Sequence, residues 1–264
     1  MERGLVKTSA GYIHYRATGQ GKPIILMCKA GTSSTIFIEL MQVLGEKLRV
    51  YAIDYPSHGM SDHITGHPSI PDYAKYIVEV MDGLGVEKAY FLGEAAGAFI
   101  AVELANAFPT RVEKIVLASC PFWVTKEFNA SRHSNLKALY RYDSTDLPLP
   151  RTMQEAVEKD PEHIPMKPTQ AWLERDNVDL MLCGRNFWQL LDGVDTYDLA
   201  SNLERLELPV LLVWGDNFFY FKYREEIIRR VKNNQVVVIK DGRFLLPADH
   251  ADEVGQATLK FLGL

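Results

Sequence analysis

Six short apolar runs, separated by turns and by stretches of helical spacing, constrain this chain more than any other feature. They are PIILMC (23–28), LRVYAID (48–54), AYFLGE (89–94), VEKIVLAS (112–119), PVLLVWG (209–215) and QVVVIK (235–240). Each has the length of a strand, and the hydrophobicity is continuous rather than alternating. Both faces of these strands are therefore expected to be covered, as in a mostly parallel sheet with crossover helices. GYIHYRATG (11–19) reads as an antiparallel edge strand or hairpin arm ahead of them. Helical spacing is found over 70–84, where Ile70, Tyr73, Ile77, Val80, Met81 and Leu84 form one stripe, and over 96–108 and 249–261. Between Phe122 and Ala200 the strand rhythm stops, and a Pro-rich, aromatic, helix-prone region intervenes.

The 264 residues suffice for one large α/β domain, with its core in 1–121 and 201–264 and residues 122–200 as a helical cap. A net charge of -5 gives no electrostatic footprint for nucleic acid or an anionic membrane. Cys28, Cys120 and Cys183 are too scattered for a disulfide framework and form no zinc-like pair. With no apolar run of signal-peptide or membrane-span length, a cytoplasmic protein is expected. No spacing implies a metal or an organic cofactor, and nothing bears on oligomeric state.

Four stretches, in order and nearly end to end, resemble the α/β-hydrolase superfamily. ILMCKAGTSSTIF matches the strand and HGxxG loop that supplies half of an oxyanion hole, with Cys28 and Lys29 in place of the His and Gly. YAIDYPSHGMSD resembles the D-x-P-G-x-G-x-S turn, with Ser57 and His58 replacing the first glycine and its neighbour. Gly93-Glu94-Ala95-Ala96-Gly97 matches the G-x-S-x-G nucleophile elbow. VLLVWGDNFFY and VIKDGRFLLPADH match the loops of the acid and the base. The resemblance implies a mostly parallel sheet of about eight strands flanked by helices. It also places Ala95, Phe218 and Arg243 at the nucleophile, acid and base positions.

Acyl transfer by this fold needs a hydroxyl to attack, a His to take its proton and a carboxylate to orient that His. None of the three residues supplies its part, so a lone engineered Ser-to-Ala change does not account for the pattern. What the resemblance leaves is backbone: the N–H groups of Ala96 and Ala30 converge at the start of a helix, where an anion or carbonyl oxygen is stabilised. Arg243 adds a permanent charge there and a fork for a carboxylate. Glu94 is a possible acid or base of raised pKa, or else an ion-pair partner of Lys29 or Arg243. Lys29 is an electrostatic or Schiff-base group, or a solvated loop residue. Cys28 and Cys120 read as packed small hydrophobes, with His14 and His58 the imidazoles a thiolate at Cys28 would need. Asp216 reads as a turn or cap residue and His58 as a loop hydrogen-bonder, while His133, His163 and His250 are expected to face water. Phe122, Trp123, Trp172, Phe187 and Trp188 are expected in or beside the cap, with Trp123 and Trp188 against the ligand. Two functions stay open: a catalytically silent protein holding a small carboxylate or carbonyl ligand, or partnering another protein, and a divergent enzyme without a covalent serine intermediate.

Overall fold

A computed structural model describes residues 1–122, 143–145, 147–161 and 163–264 of the chain. Eight strands form one sheet: β1 (Glu2–Thr8), β2 (Gly11–Thr18), β3 (Pro23–Met27), β4 (Arg49–Ile53), β5 (Ala89–Glu94), β6 (Val112–Ala118), β7 (Val210–Gly215) and β8 (Asn234–Ile239). Their order is β1-β2-β4-β3-β5-β6-β7-β8. β1 and β2 form the antiparallel hairpin, β2 meets β4 antiparallel, and the remaining pairs are parallel. Beyond the expected arm, β1 completes the hairpin.

The helices among the described residues are α1 (Ile38–Leu44), α2 (Ile70–Gly83), α3 (Ala96–Ala107), α4 (Met153–Lys159), α5 (Gln170–Cys183), α6 (Phe187–Thr196), α7 (Leu199–Glu204), α8 (Arg224–Ile228), α9 (Leu246–Asp249) and α10 (Ala251–Leu262). None is long and apolar enough to cross a membrane. Ser69 caps α2 in a reciprocal box with Asp72, and its stripe Tyr73, Ile77, Val80 and Met81 is buried. α3 buries residues all round, because it packs on β5 and β6 and is flanked by α2 and α7.

Two expectations are corrected here. Continuous apolar runs predicted cover on both faces throughout, yet Val236 and Val238 of β8 are 40% and 45% exposed. β8 is the last strand and pairs only with β7, so an edge position overrides the pattern. The short helix α1 also lies where no periodicity was read. Between β6 and β7, α4 to α7 occupy the region expected to be helical, and α7 runs through residue 200 with Leu199 and Leu203 buried.

Candidate functional site

The strands β3, β4 and β5 end side by side, so the residues just beyond them share one rim of the sheet. Ala95 follows β5 with φ 49° and ψ -108°, a conformation that strains any residue bearing a Cβ. Its N–H donates to the Ala118 carbonyl at 3.0 Å, and its own carbonyl accepts from the Ala98 N–H at 3.0 Å. The glycines of the motif are required by close approach: a Cβ on Gly93 would lie 2.2 Å from the Gly97 carbonyl oxygen, and one on Gly97 would lie 2.1 Å from the Met27 oxygen. The first turn of α3, with Ala96, is thereby pressed against the end of β3, from which the loop bearing Lys29 and Ala30 departs.

Glu94 is fully buried, and neither carboxylate oxygen has a hydrogen-bond partner. The expected ion pair with Lys29 or Arg243 is therefore absent. Burial pushes the Glu94 carboxyl up to about 8, against the opposing pull of the Lys29 charge. Lys29 is only 7% exposed, not solvated, and its charge also acts on His58 and Cys183. His58 is fully buried; Nδ1 lies 3.1 Å from the Pro56 carbonyl, which can only accept, so Nδ1 carries the proton and Nε2 a lone pair. That Nε2 has no partner, and burial lowers the imidazole to about 4, so it is neutral near pH 7. The Tyr55 ring meets His58 edge-on at 5.8 Å, and its hydroxyl donates to the Cys28 carbonyl at 3.1 Å. Burial drives the Cys28, Cys120 and Cys183 thiols upward, so all three are protonated.

His14 serves another group. Its Nδ1 lies 2.8 Å from Asp54 Oδ2, and the Asp54 carboxylate also accepts from the N–H groups of Ser34 (2.6 Å) and Met60 (3.0 Å). Burial alone would raise Asp54, but these bonds outweigh it and hold the carboxyl below its ordinary range. The loop after β3 is thus tied to the loop after β4.

The loops after β7 and β8 are joined by backbone contact at Gly215 and Gly242 and by the Asn217 N–H on the Gly242 carbonyl at 2.9 Å. Phe218 is buried and stacks on Phe244, with centroids 5.6 Å apart and planes 15° from parallel. Ser119 Oγ donates to the Phe244 carbonyl at 2.8 Å, linking this stack to the end of β6 beside the elbow. Arg243 does not share the interior with its neighbour. Its Nη1 donates to the Pro161 carbonyl at 2.9 Å in an exposed bond. With Phe244 filling the inside of the turn, the guanidinium stays where water solvates it. Asp216 lies exposed in a turn after β7, as expected.

Helices α5 and α6 pack on the loop after β3. Asp179 of α5 accepts from Ser33 N–H (3.0 Å), Ser33 Oγ (2.7 Å) and Thr35 Oγ1 (2.6 Å). Phe187 of α6 lies so close to Gly31 that a Cβ there would sit 2.2 Å from the ring. Trp172 and Phe187 are buried, and Trp188 is half-buried, edge-on to Phe187 at 4.8 Å. Beside Asp179 a narrow cleft lies between Thr32, Thr35, Ile36, Trp172 and Arg175, and Glu94 does not line it. Trp123 and His133 lie outside the described residues, and Phe122 is buried at the end of the first described segment. His163, expected in water, packs edge-on to Phe219 (4.9 Å) and Phe244 (5.1 Å), with Nδ1 2.5 Å from Asp160. Asp160 in turn accepts from Arg151 at 2.8 Å. Sequence reading missed Asp179 and this Arg151 network and misplaced His163, because their partners come from segments that no local pattern connects. His250 lies at the N-cap position of α10.

Comparisons with known proteins agree with this geometry. The model of the alpha/beta hydrolase fold matches residues 23–251. A 2-hydroxy-6-oxononadienedioate/2-hydroxy-6-oxononatrienedioate hydrolase of Paraburkholderia phymatum is 26% identical over 95% of this chain and 91% of its own. Among solved structures, a hydrolase from Pseudomonas aeruginosa superposes with a TM-score of 0.84 at 23% identity, over 99% of this chain and 98% of that one. A thermophilic esterase from Thermogutta terrifontis, with malate bound, gives 0.82 at 20% identity, over 100% and 98%. The strand order, the tight elbow and the match over most of its length make the chain a member of the α/β-hydrolase fold family.

Proposed function

We propose that this protein holds a small carboxylate or carbonyl ligand beside the elbow and forms no serine ester, with residues 122–200 as the lid. The observation that carries the reading is the methyl group of Ala95 at a strained elbow, φ 49°, whose geometry ordinarily serves to present a nucleophile. Phe218, at the expected acid position, stacks on Phe244, the neighbour of the expected base position Arg243, which supports the same reading. The parts available to a ligand are the N–H groups of Ala96 and Ala30, the Lys29 ammonium, and the Glu94 carboxyl, which is mostly protonated at pH 7 and so donates. Lys29 takes the anchoring part that sequence reasoning assigned to Arg243, and Trp188 contributes apolar cover. Malate in the related esterase structure is a small carboxylate of the class proposed.

The partnerless Glu94 favours a second reading, in which the same site transfers protons on a carbonyl compound without a covalent serine intermediate. A thermal-shift screen of small carboxylates and carbonyl compounds tests the binding reading. Saturable stabilisation that Lys29→Met weakens is expected. A burst of p-nitrophenol from p-nitrophenyl acetate that leaves an acetyl ester on a hydroxyl side chain would overturn it, since that is the serine-type intermediate the reading excludes.

A further inference from the structure

We infer that Lys29 forms an imine with the carbonyl carbon of its ligand, a small aldehyde or 2-oxo acid, with the Glu94 carboxyl as the proton carrier. The inference deepens the proposed binding reading and rests on it. Around the elbow, a methyl group replaces the hydroxyl of Ser at Ala95, and the Cys28 and Cys183 thiols are held protonated. The amine of Lys29 is then the group in this cluster with the chemistry to attack a carbonyl. It is buried, its charge acts on the Glu94 carboxyl, and neither oxygen of that carboxyl has a hydrogen-bond partner.

The step balances without a redox partner. The Lys29 ammonium passes a proton to the Glu94 carboxylate, and the freed lone pair attacks the carbonyl carbon. A C–N bond forms as the C–O π pair moves to oxygen. After an internal proton shift, Glu94 returns its proton to the carbinolamine hydroxyl, which leaves as water, and the iminium remains beside the restored carboxylate. His58 Nε2, an acceptor without a donor, is suited to hold that hydroxyl or the departing water.

Among the described residues, the titratable groups that act on the pair come from several loops. Cys28 and Tyr55 act on Glu94 from the ends of β3 and β4, and both are pushed up and uncharged. His58 and Cys183 feel the Lys29 charge and are also neutral, while Asp54, which acts on Cys28 and His58, is ionised and occupied by His14, Ser34 and Met60. Because the first transfer needs the Glu94 carboxylate, imine formation rises as pH passes through about 8.

The test is reductive trapping of the full chain with sodium cyanoborohydride and pyruvate, 2-oxobutyrate or butanal, followed by peptide mass spectrometry. The expected result is saturable labelling of Lys29 on the order of tenfold faster than of exposed Lys232. Lys29→Arg removes the label, and Lys232→Arg does not affect it. Glu94→Gln slows the labelling and flattens its pH dependence while thermal stabilisation by the same probes persists, which shows a folded, ligand-competent variant. Labelling of Lys29 no faster than Lys232, with stabilisation by the probes intact, overturns the imine and leaves the binding reading. Loss of both overturns the two together.

Discussion

Phe218 lies face to face with Phe244, joining the loops that follow β7 and β8 by a ring stack at 5.6 Å. At the positions where the sequence resemblance expects an acid and a base, the contact that Phe218 makes is apolar and contributes packing. Phe218→Ala is expected to cost about 3–5 kcal/mol, the range for emptying a buried aromatic site. Phe218→Leu should cost less. Urea unfolding of the two variants measures the difference, and equal midpoints for Phe218→Ala and parent would refute the packing role.

At the elbow the backbone is the constrained element. Gly93→Ala and Gly97→Ala place a methyl against carbonyl groups that cannot retreat, so each should lower stability by at least about 2 kcal/mol or prevent folding. Ala95→Gly relieves the positive φ and should raise stability by about 1 kcal/mol. Thermal melts of the three variants check the opposite signs.

Adding a hydroxyl at Ala95 alone should confer no acyl transfer. Ala95→Ser supplies an attacking atom without a base in the place of Arg243, whose side chain reaches the Pro161 carbonyl. Stopped-flow assays with p-nitrophenyl acetate should show no burst in either parent or variant.

Glu94 and His58 give stability two opposed pH dependences. Glu94 is raised from 4.5 to about 8 in the fold, so its protonated form is the favoured one. Its contribution is complete below pH 4.5 and is lost as pH rises from there to about 8. His58 is lowered from 6.5 to about 4, so its contribution is present above 6.5 and lost as pH falls toward 4. Glu94→Gln should flatten the alkaline loss, by on the order of a few kcal/mol at pH 9. His58→Gln should flatten the acid one. Denaturant midpoints from pH 4 to pH 9 resolve the two arms.

Asp179 couples α5 to the loop after β3 through three hydrogen bonds. Burial raises its carboxyl in spite of them, so replacing the charge is tolerated better than removing the acceptors. Asp179→Asn should cost about 1–2 kcal/mol and Asp179→Leu more. Hydrogen exchange should quicken in residues 31–35 and in α5 together; quickening in only one of them would show the two are not coupled.

Much of this was legible beforehand, for identifiable reasons. The run AYFLGE became β5 with the same limits, and the stripe from Ile70 to Met81 became the buried face of α2, because each is a local pattern that one packing surface satisfies. The glycines of the elbow were legible because only their residue type fits a 2.2 Å backbone approach. The edge exposure of Val236 and Val238 was not, since strand order is a property of the whole sheet. Nor was the orientation of Arg243, which depends on Phe244 taking the interior of the same turn.

The sequence by itself determined the α/β layering and the glycine-flanked elbow, since periodicity and short-range backbone demands are written in neighbouring residues. Only the tertiary structure decided which charges meet. It left Glu94 buried and partnerless under the influence of the Lys29 charge, gave His14 to Asp54, and set Asp179 on a loop 146 positions away in the chain. Burial and pairing depend on residues distant in sequence, and they decide whether a carboxyl is an ion, a hydrogen-bond donor or an anchor.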